Sequence, residues 1–157
     1  MSEQMNNRYA SVHLKIEKEM PSATSMPNVL HTLGLSTQTQ EVLWVIAYDS
    51  LQNIRTIVEV GRGNYHEMDV PIPAVMAVPL LAGCDRFEIA HNHPSGDVAP
   101  TVMDVDLTHK ILAAANTCGM YLEDHIIMGP SGKFYSFLDS GRLAPGRRSS
   151  AGHRRAS

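Results

Sequence analysis

Two histidines separated by one residue, His91 and His93, and a following aspartate, Asp104, are the side chains of this sequence best suited to chemistry. The histidines end a short apolar run that predicts a strand, in which side chains two residues apart point to the same face. Asp104 falls in the first turn of a predicted amphipathic helix, on its inward face, where an unpaired carboxylate would be costly to bury. Together the three side chains predict one metal site.

The residue types also indicate the kind of metal site. Two imidazoles and one carboxylate leave the fourth position of a tetrahedral zinc ion to water, which is typical of catalytic sites, whereas structural sites more often use four ligands rich in cysteine. Cys84 and Cys118 lack metal-binding spacing. Taken alone, each residue has an ordinary explanation, since a histidine can be a surface or core residue and Asp104 can simply cap its helix with Thr101. Fe²⁺, Mn²⁺ and Co²⁺ stay open as alternatives to Zn²⁺.

The elements that must hold this site follow from hydrophobic periodicity and turn residues. They predict a single α/β domain with a mixed, mainly antiparallel sheet flanked by helices. We expect Pro79 to bend or shorten its helix, and both cysteines to be buried in the core. The predicted order is a strand at residues 9–19, a helix at 28–35, strands at 41–48 and 54–61, a helix at 73–84, the strand that ends in the histidines, a helix ending before Gly119, and strands at 121–128 and 134–138.

A known motif resembles the spacing of these residues. His91-x-His93, followed after seven residues by Thr101-x-x-Asp104, resembles the JAMM motif of the JAB1/MPN metalloprotease superfamily. The runs HNHPSG, which begins at His91, and DHIIMG, which begins at Asp124, resemble specifically its RadC branch, over roughly residues 27–138. The resemblance implies an MPN (JAB)-type domain of cytidine-deaminase-like architecture, with one Zn²⁺ per chain bound by the two histidines and the aspartate.

The resemblance also implies a catalytic base. In the family a glutamate far upstream activates the metal-bound water, and the matching segment here, residues 57–63, contains Glu59. Without the resemblance, Glu59 would be interpreted as an exposed strand residue or as a partner of Arg55.

The resemblance also implies roles for four further residues. The serine of the superfamily motif is replaced by Thr101, which keeps the hydroxyl that could donate to a developing oxyanion but adds a methyl group that restricts its rotamers. Ser95, Asp124 and His125 are expected to line the wall of the site rather than to bind the metal. For His125, a hydrogen-bonded core histidine is the ordinary alternative.

Composition limits the classes of partner and compartment. The chain has 157 residues, 43% of them apolar, which is enough for one domain with a core. It has no apolar run of about 20 residues, no signal-like N-terminus and no disulfide framework, so we expect a cytoplasmic protein without a membrane partner. The expected division is an N-terminal strand and linker at residues 1–26, a RadC-like JAB/MPN catalytic domain at 27–139 and a disordered basic tail at 140–157.

The charge is unevenly distributed around a net value of −3, because residues 141–157 carry five arginines and no acidic residue. Such a tail could attach weakly to nucleic acid or to an acidic partner, but a solvated end is the favoured interpretation, and the acidic remainder argues against a nucleic-acid surface elsewhere. A homodimer stays open.

The function that these features predict is zinc-dependent hydrolysis of a peptide or isopeptide bond by a metal-activated water, with an unidentified amide substrate. A catalytically weak metal-binding module that acts through a partner, and a DNA-repair accessory protein, are the alternatives.

Overall fold

A six-stranded sheet forms the centre of the domain in the computed structural model, which describes residues 13–14, 25–63 and 70–145. The strand order is β1-β3-β2-β4-β5-β6, and neighbouring strands are antiparallel except β4 and β5, which are parallel. This confirms the mixed, mainly antiparallel sheet that the sequence predicts. The strands are β1 (His13–Leu14), β2 (Val42–Tyr48), β3 (Ile54–Arg62), β4 (Arg86–Asn92), β5 (Tyr121–Met128) and β6 (Phe134–Ser136), and the helices are α1 (Met26–Thr32), α2 (Ile72–Ala82) and α3 (Val102–Thr117).

The sheet has an apolar layer on each face. On one face, here called the α2/α3 face, Leu43 and Ile89 pack with residues of α2 and α3 such as Val75 and Ile111. On the other, the α1 face, Trp44, Ile46, Ala90 and Ile126 pack with Leu30 of α1. Because β2 lies between β3 and β4 and is covered on both sides, all seven of its residues are buried, as its continuous apolar run predicts.

The segment between β4 and α3 carries the residues of interest, and its local chemistry explains its shape. Gly96, at φ 88°, supplies the left-handed conformation in the turn after β4. Thr101 then begins α3 with a capping box, in which its hydroxyl accepts from the backbone N–H of Asp104 while the Asp104 carboxylate accepts from the backbone N–H of Thr101. Gly119, at φ 69°, follows the end of the helix.

Two local expectations concern Pro79 and the two cysteines. α2 continues beyond Pro79 to Ala82, so Pro79 does not end the helix, because Met76 and Val78 are packed in the core and tertiary burial outweighs one missing backbone hydrogen bond. Cys84 is buried as expected, but Cys118 is exposed. Cys118 is the C-cap residue of α3, where the chain leaves the helix and with it the buried face.

Several predictions lie partly or wholly outside the described residues. Of the strand predicted at residues 9–19, the structure describes only His13–Leu14, which pairs with β3. The linker predicted before residue 26 lies mostly outside, as does the end of the basic tail from residue 146 onward. Among the residues that are described, no helix is long and apolar enough to cross a membrane.

A buried glutamate on the α1 face makes the stability of the fold depend on pH. Glu88 lies on β4, and its Oε2 is buried without a hydrogen-bond partner among the described residues. Burial raises the pKa of Glu88 to about 7, the carboxylates of Asp124 and Glu123 add to the rise, and the hydrogen bond with Tyr48 opposes it. The folded protein therefore binds the Glu88 proton more tightly than the unfolded chain, whose pKa is near 4.5.

We expect this group to lower the free energy of unfolding as pH rises from about 4.5 to about 7, with a total effect on the order of 3 kcal/mol. Glu88→Gln removes the titration, so the variant should gain stability over the natural protein above pH 7 and not below about pH 4.5. Urea unfolding of both metal-free proteins across this range measures the difference. Parallel loss of stability in the two proteins would contradict the assignment.

Candidate metal centre

The end of β4 and the first turn of α3 bring His91, His93 and Asp104 together. His91 Nε2 lies 3.0 Å from His93 Nε2 and 3.1 Å from Asp104 Oδ1, and His93 Nε2 lies 3.5 Å from Asp104 Oδ2. All three residues are buried, and one ligand atom from each lies within 4.8 Å of the others. Among the described residues these three form the one such group of His, Cys, Asp or Glu that could hold a metal ion.

The hydrogen-bond partners of this cluster leave acceptor atoms facing one another. His93 Nδ1 lies 2.7 Å from the carbonyl oxygen of Asp97. Because a carbonyl oxygen can only accept, Nδ1 carries the proton, and Nε2 of neutral His93 presents a lone pair to the cluster. Asp104 Oδ1 is buried and has no hydrogen-bond partner among the described residues, although His91 Nε2 is close to it. A cation at this point would satisfy both atoms, so the residues fit a metal ion.

Electrostatics of the cluster favour an ionised Asp104 carboxylate beside a neutral His91. Burial acts to raise the pKa of Asp104, but the imidazoles of His91 and His93 hold it well below its usual range. Burial lowers the pKa of His91 below its usual value. For His93 burial acts in the same direction, but Asp104 and the Asp97 carbonyl outweigh it and raise the pKa. A carboxylate with two imidazoles is a donor set that can hold a metal ion.

Thr101 contacts a member of the cluster directly. Its hydroxyl donates to Asp104 Oδ2 at 2.8 Å, and its backbone N–H donates to the same oxygen at 2.7 Å. Both bonds hold Oδ2 and leave the other oxygen, Oδ1, beside His91. In this structure the threonine hydroxyl therefore orients the carboxylate.

Glu59 is not brought together with the cluster. It pairs with Trp44 across β2 and β3, and Trp44 belongs to the apolar layer of the α1 face. Directly opposed residues of an antiparallel pair point to the same face, so Glu59 also points to the α1 face, whereas His91 pairs with Leu43 of the α2/α3 face. The Glu59 carboxylate is bound by both Nε and Nη2 of Arg62, at 2.7 and 2.8 Å. An ion pair with an arginine was an alternative interpretation from the sequence, although with Arg55 as the partner.

A different acidic residue, Glu41, acts on the histidines. It immediately precedes β2, and continuing the register from the Leu43–His91 pair by two residues places it beside His93 on the α2/α3 face. Burial acts to lower the pKa of both histidines, although for His93 it is outweighed, and the charge of Glu41 acts to raise the pKa of both. Sequence reasoning missed Glu41. The available signal was an acidic residue directly before the buried strand that lies next to the His-x-His strand.

Asn92 holds the segment that carries Glu41. It lies between the two histidines, and its side-chain oxygen accepts from the backbone N–H of Val42 at 2.8 Å. Its amide group donates to the carbonyl oxygens of Gln38 and Gln40 at 3.1 and 3.0 Å. Three hydrogen bonds from one buried side chain therefore fix the chain on both sides of Glu41 against β4.

The three expected wall residues have different positions. Ser95 is exposed in the turn after β4. Asp124 points away from the cluster, because its carboxylate accepts from the hydroxyl of Ser136 and the backbone N–H of Leu138. His125 lies against the cluster, with its Nε2 2.8 Å from His91 Nδ1. Of the three, His125 makes direct contact with a histidine of the cluster.

Comparison with known proteins identifies the family of this chain. The family model described as RadC-like JAB domain matches residues 22–142. The chain is 33% identical over 131 residues to a UPF0758 protein of Porphyromonas gingivalis, covering 80% of this chain and 58% of that protein. It is 31% identical over 139 residues to a UPF0758 protein of Trichlorobacter lovleyi, covering 88% and 60%. A UPF0758 protein of Roseiflexus sp. is 30% identical over 112 residues, covering 71% and 48%. The chain thus spans about half to three-fifths of the length of these curated relatives.

Proposed function

Because this chain belongs to the RadC-like JAB domain family, we propose that it is a metallohydrolase that holds one zinc ion and cleaves a peptide or isopeptide bond with an activated water. The JAB/MPN superfamily includes metalloproteases, which makes an amide the substrate class. The single observation that carries the proposal is the convergence of three buried ligand atoms, one of which, Asp104 Oδ1, has no hydrogen-bond partner among the described residues.

His91, His93 and Asp104 would hold the ion, and Thr101 would hold Asp104 in position through its hydroxyl and backbone N–H. A zinc ion bound there would polarise a carbonyl group and lower the pKa of a bound water toward about 7. With three protein ligands, the site keeps one position for water or substrate.

The proposed base is Glu41. Its carboxylate takes a proton from the attacking water and delivers it to the leaving amine, so that a single group serves as base and then as acid. This assignment is supported by the position of Glu41 before β2 and by its electrostatic effect on both histidines. Glu59, the base that the resemblance implies, would have to act from the opposite face of the sheet.

The proposal is tested by metal content and cleavage together. Elemental analysis of the purified protein should find about one zinc per chain, and a diverse peptide library, supplemented with isopeptide-linked peptides, should yield new termini by mass spectrometry. A chelator should abolish cleavage, and added zinc should restore it. A protein that holds no metal even after zinc is supplied would overturn the proposal and leave an interaction module as the function. Zinc binding without any cleavage would remove the hydrolytic part.

A further inference from the structure

We infer that His125 is a positioning residue which, together with Thr108, fixes the tautomer of His91 so that its Nε2 presents a lone pair to the metal. The inference rests on the proposed function in assigning a metal to the cluster. It goes beyond that function in assigning a task to two residues of β5 and α3 that do not belong to the ligand set.

Thr108 makes the contact that lies farthest from the proposed metal position. The Thr108 hydroxyl donates to the backbone carbonyl oxygen of Asp104 at 2.7 Å. A hydroxyl has one hydrogen, so the Thr108 oxygen can act only as an acceptor toward its other neighbour, His125 Nδ1, which is 2.7 Å away. His125 Nδ1 therefore carries a proton.

The next contact, between His125 and His91, fixes the tautomer of His91. His125 is completely buried, and a buried imidazole without a carboxylate partner is neutral because desolvation disfavours its charged form. With its proton on Nδ1, His125 presents a bare Nε2, 2.8 Å from His91 Nδ1. His91 must then donate from Nδ1, and its Nε2 is left without a proton, facing His93 Nε2 and Asp104 Oδ1.

Packing keeps this arrangement in place. The His125 ring stacks on Phe137, with centroids 4.7 Å apart and planes 11° apart. Thr108 lies one turn after Asp104 on the buried face of α3, so the carbonyl that starts the chain of hydrogen bonds belongs to a ligand residue. Asp104 and His91, which come from different elements, are thereby linked by hydrogen bonds on the side away from the metal as well.

The test measures the tautomers of His91 and His125 directly. In metal-free protein with nitrogen-15-labelled histidine, long-range proton–nitrogen spectra should show His91 and His125 both protonated at Nδ1. His125→Phe keeps an aromatic ring beside Phe137 but removes the acceptor, so His91 should populate the Nε2-protonated form and zinc affinity should fall about 10–100-fold. Thr108→Val should release the His125 tautomer and weaken zinc binding in the same direction, and Thr108→Ser, which keeps the hydroxyl, should restore both.

The inference is overturned if His91 of the natural protein is protonated at Nε2, or if His125→Phe leaves both its tautomer and the zinc affinity unchanged. The first measurement needs no variant, so a misfolded variant does not prevent a decision. It also needs no metal. A protein that fails to bind zinc would remove the proposed function, while the tautomer of His91 would still decide this inference.

Discussion

Replacing Asp104 with alanine is expected to lower zinc affinity by about 10²–10³-fold and to abolish any hydrolysis that depends on the ion. The apparent binding free energy of four-ligand zinc sites is roughly 10–16 kcal/mol, so one ligand accounts for about 2.5–4 kcal/mol. Asp104 Oδ1 has no hydrogen-bond partner among the described residues. The metal ion would therefore be the main partner of this oxygen, and the alanine variant loses that bond. Competition with a chromophoric chelator measures the affinity of the natural and variant proteins.

Thr101→Ala is the matched control, because Asp104 also belongs to the capping box of α3. The control loses the hydroxyl that holds Oδ2 but keeps the carboxylate, so it should lose about 0.5–2 kcal/mol of stability and only about 10–100-fold in zinc affinity. Thr101→Ser should retain both. If Asp104→Ala binds zinc as tightly as Thr101→Ala, the carboxylate acts only as a helix cap, and the metal site must have other ligands.

The parts of this site that the sequence predicts are those controlled by local rules. His91 and His93 share a face because strand side chains alternate, and Asp104 follows Thr101 by the three residues that a capping box requires. Burial supplies the remaining local rule, because a polar residue on a helix face otherwise made of apolar residues needs a partner. This rule predicts that Asp104 binds something. The strand and helix that carry these residues were predicted for the same reason.

The position of the proposed base depends on the pairing between strands, which local sequence rules do not give. Alternation within β3 correctly groups Glu59 with Ile57, but it does not say which face of the sheet that group meets. The answer comes from the pairing of β3 with β2 and of β2 with β4, including a register shift between Leu43 and Trp44. Glu41 lies outside any strand, so no periodicity indicates it. Its position follows from long-range hydrogen bonds of Asn92, fifty or more residues away.

The exposure of Cys118 has the same kind of cause. A helical pattern assigns faces as if the helix continued, and Cys118 lies one residue beyond the last residue of α3. The buried face of this helix in fact runs through Leu107, Thr108, Ile111 and Ala115. Thr108, a polar residue within that apolar row, is the one sequence signal for the contact with His125.

The second prediction with a large effect distinguishes between the two candidate bases, Glu41 and Glu59. Glu41→Gln should keep its zinc, since Glu41 is not one of the three ligands, and should lower the rate of amide hydrolysis by about 10²–10⁴-fold. The amide side chain of glutamine has nearly the shape of glutamate but cannot take the proton. The rates are measured on a peptide that the natural protein cleaves, at equal zinc content of each protein.

Glu59→Gln is the comparison that makes the result specific. It makes the same chemical change on the α1 face, where it weakens a partly exposed ion pair with Arg62, and should cost no more than about 1 kcal/mol of stability. Its hydrolysis rate should equal that of the natural protein. The reverse outcome, with a slow Glu59→Gln and a normal Glu41→Gln, would return the role of base to Glu59 and would require β3 to present its other face to the metal. Because a strand that turns by one residue exchanges every side chain between the two faces, that outcome would also contradict the packing of Val58 on the α2/α3 face and of Ile57 on the α1 face.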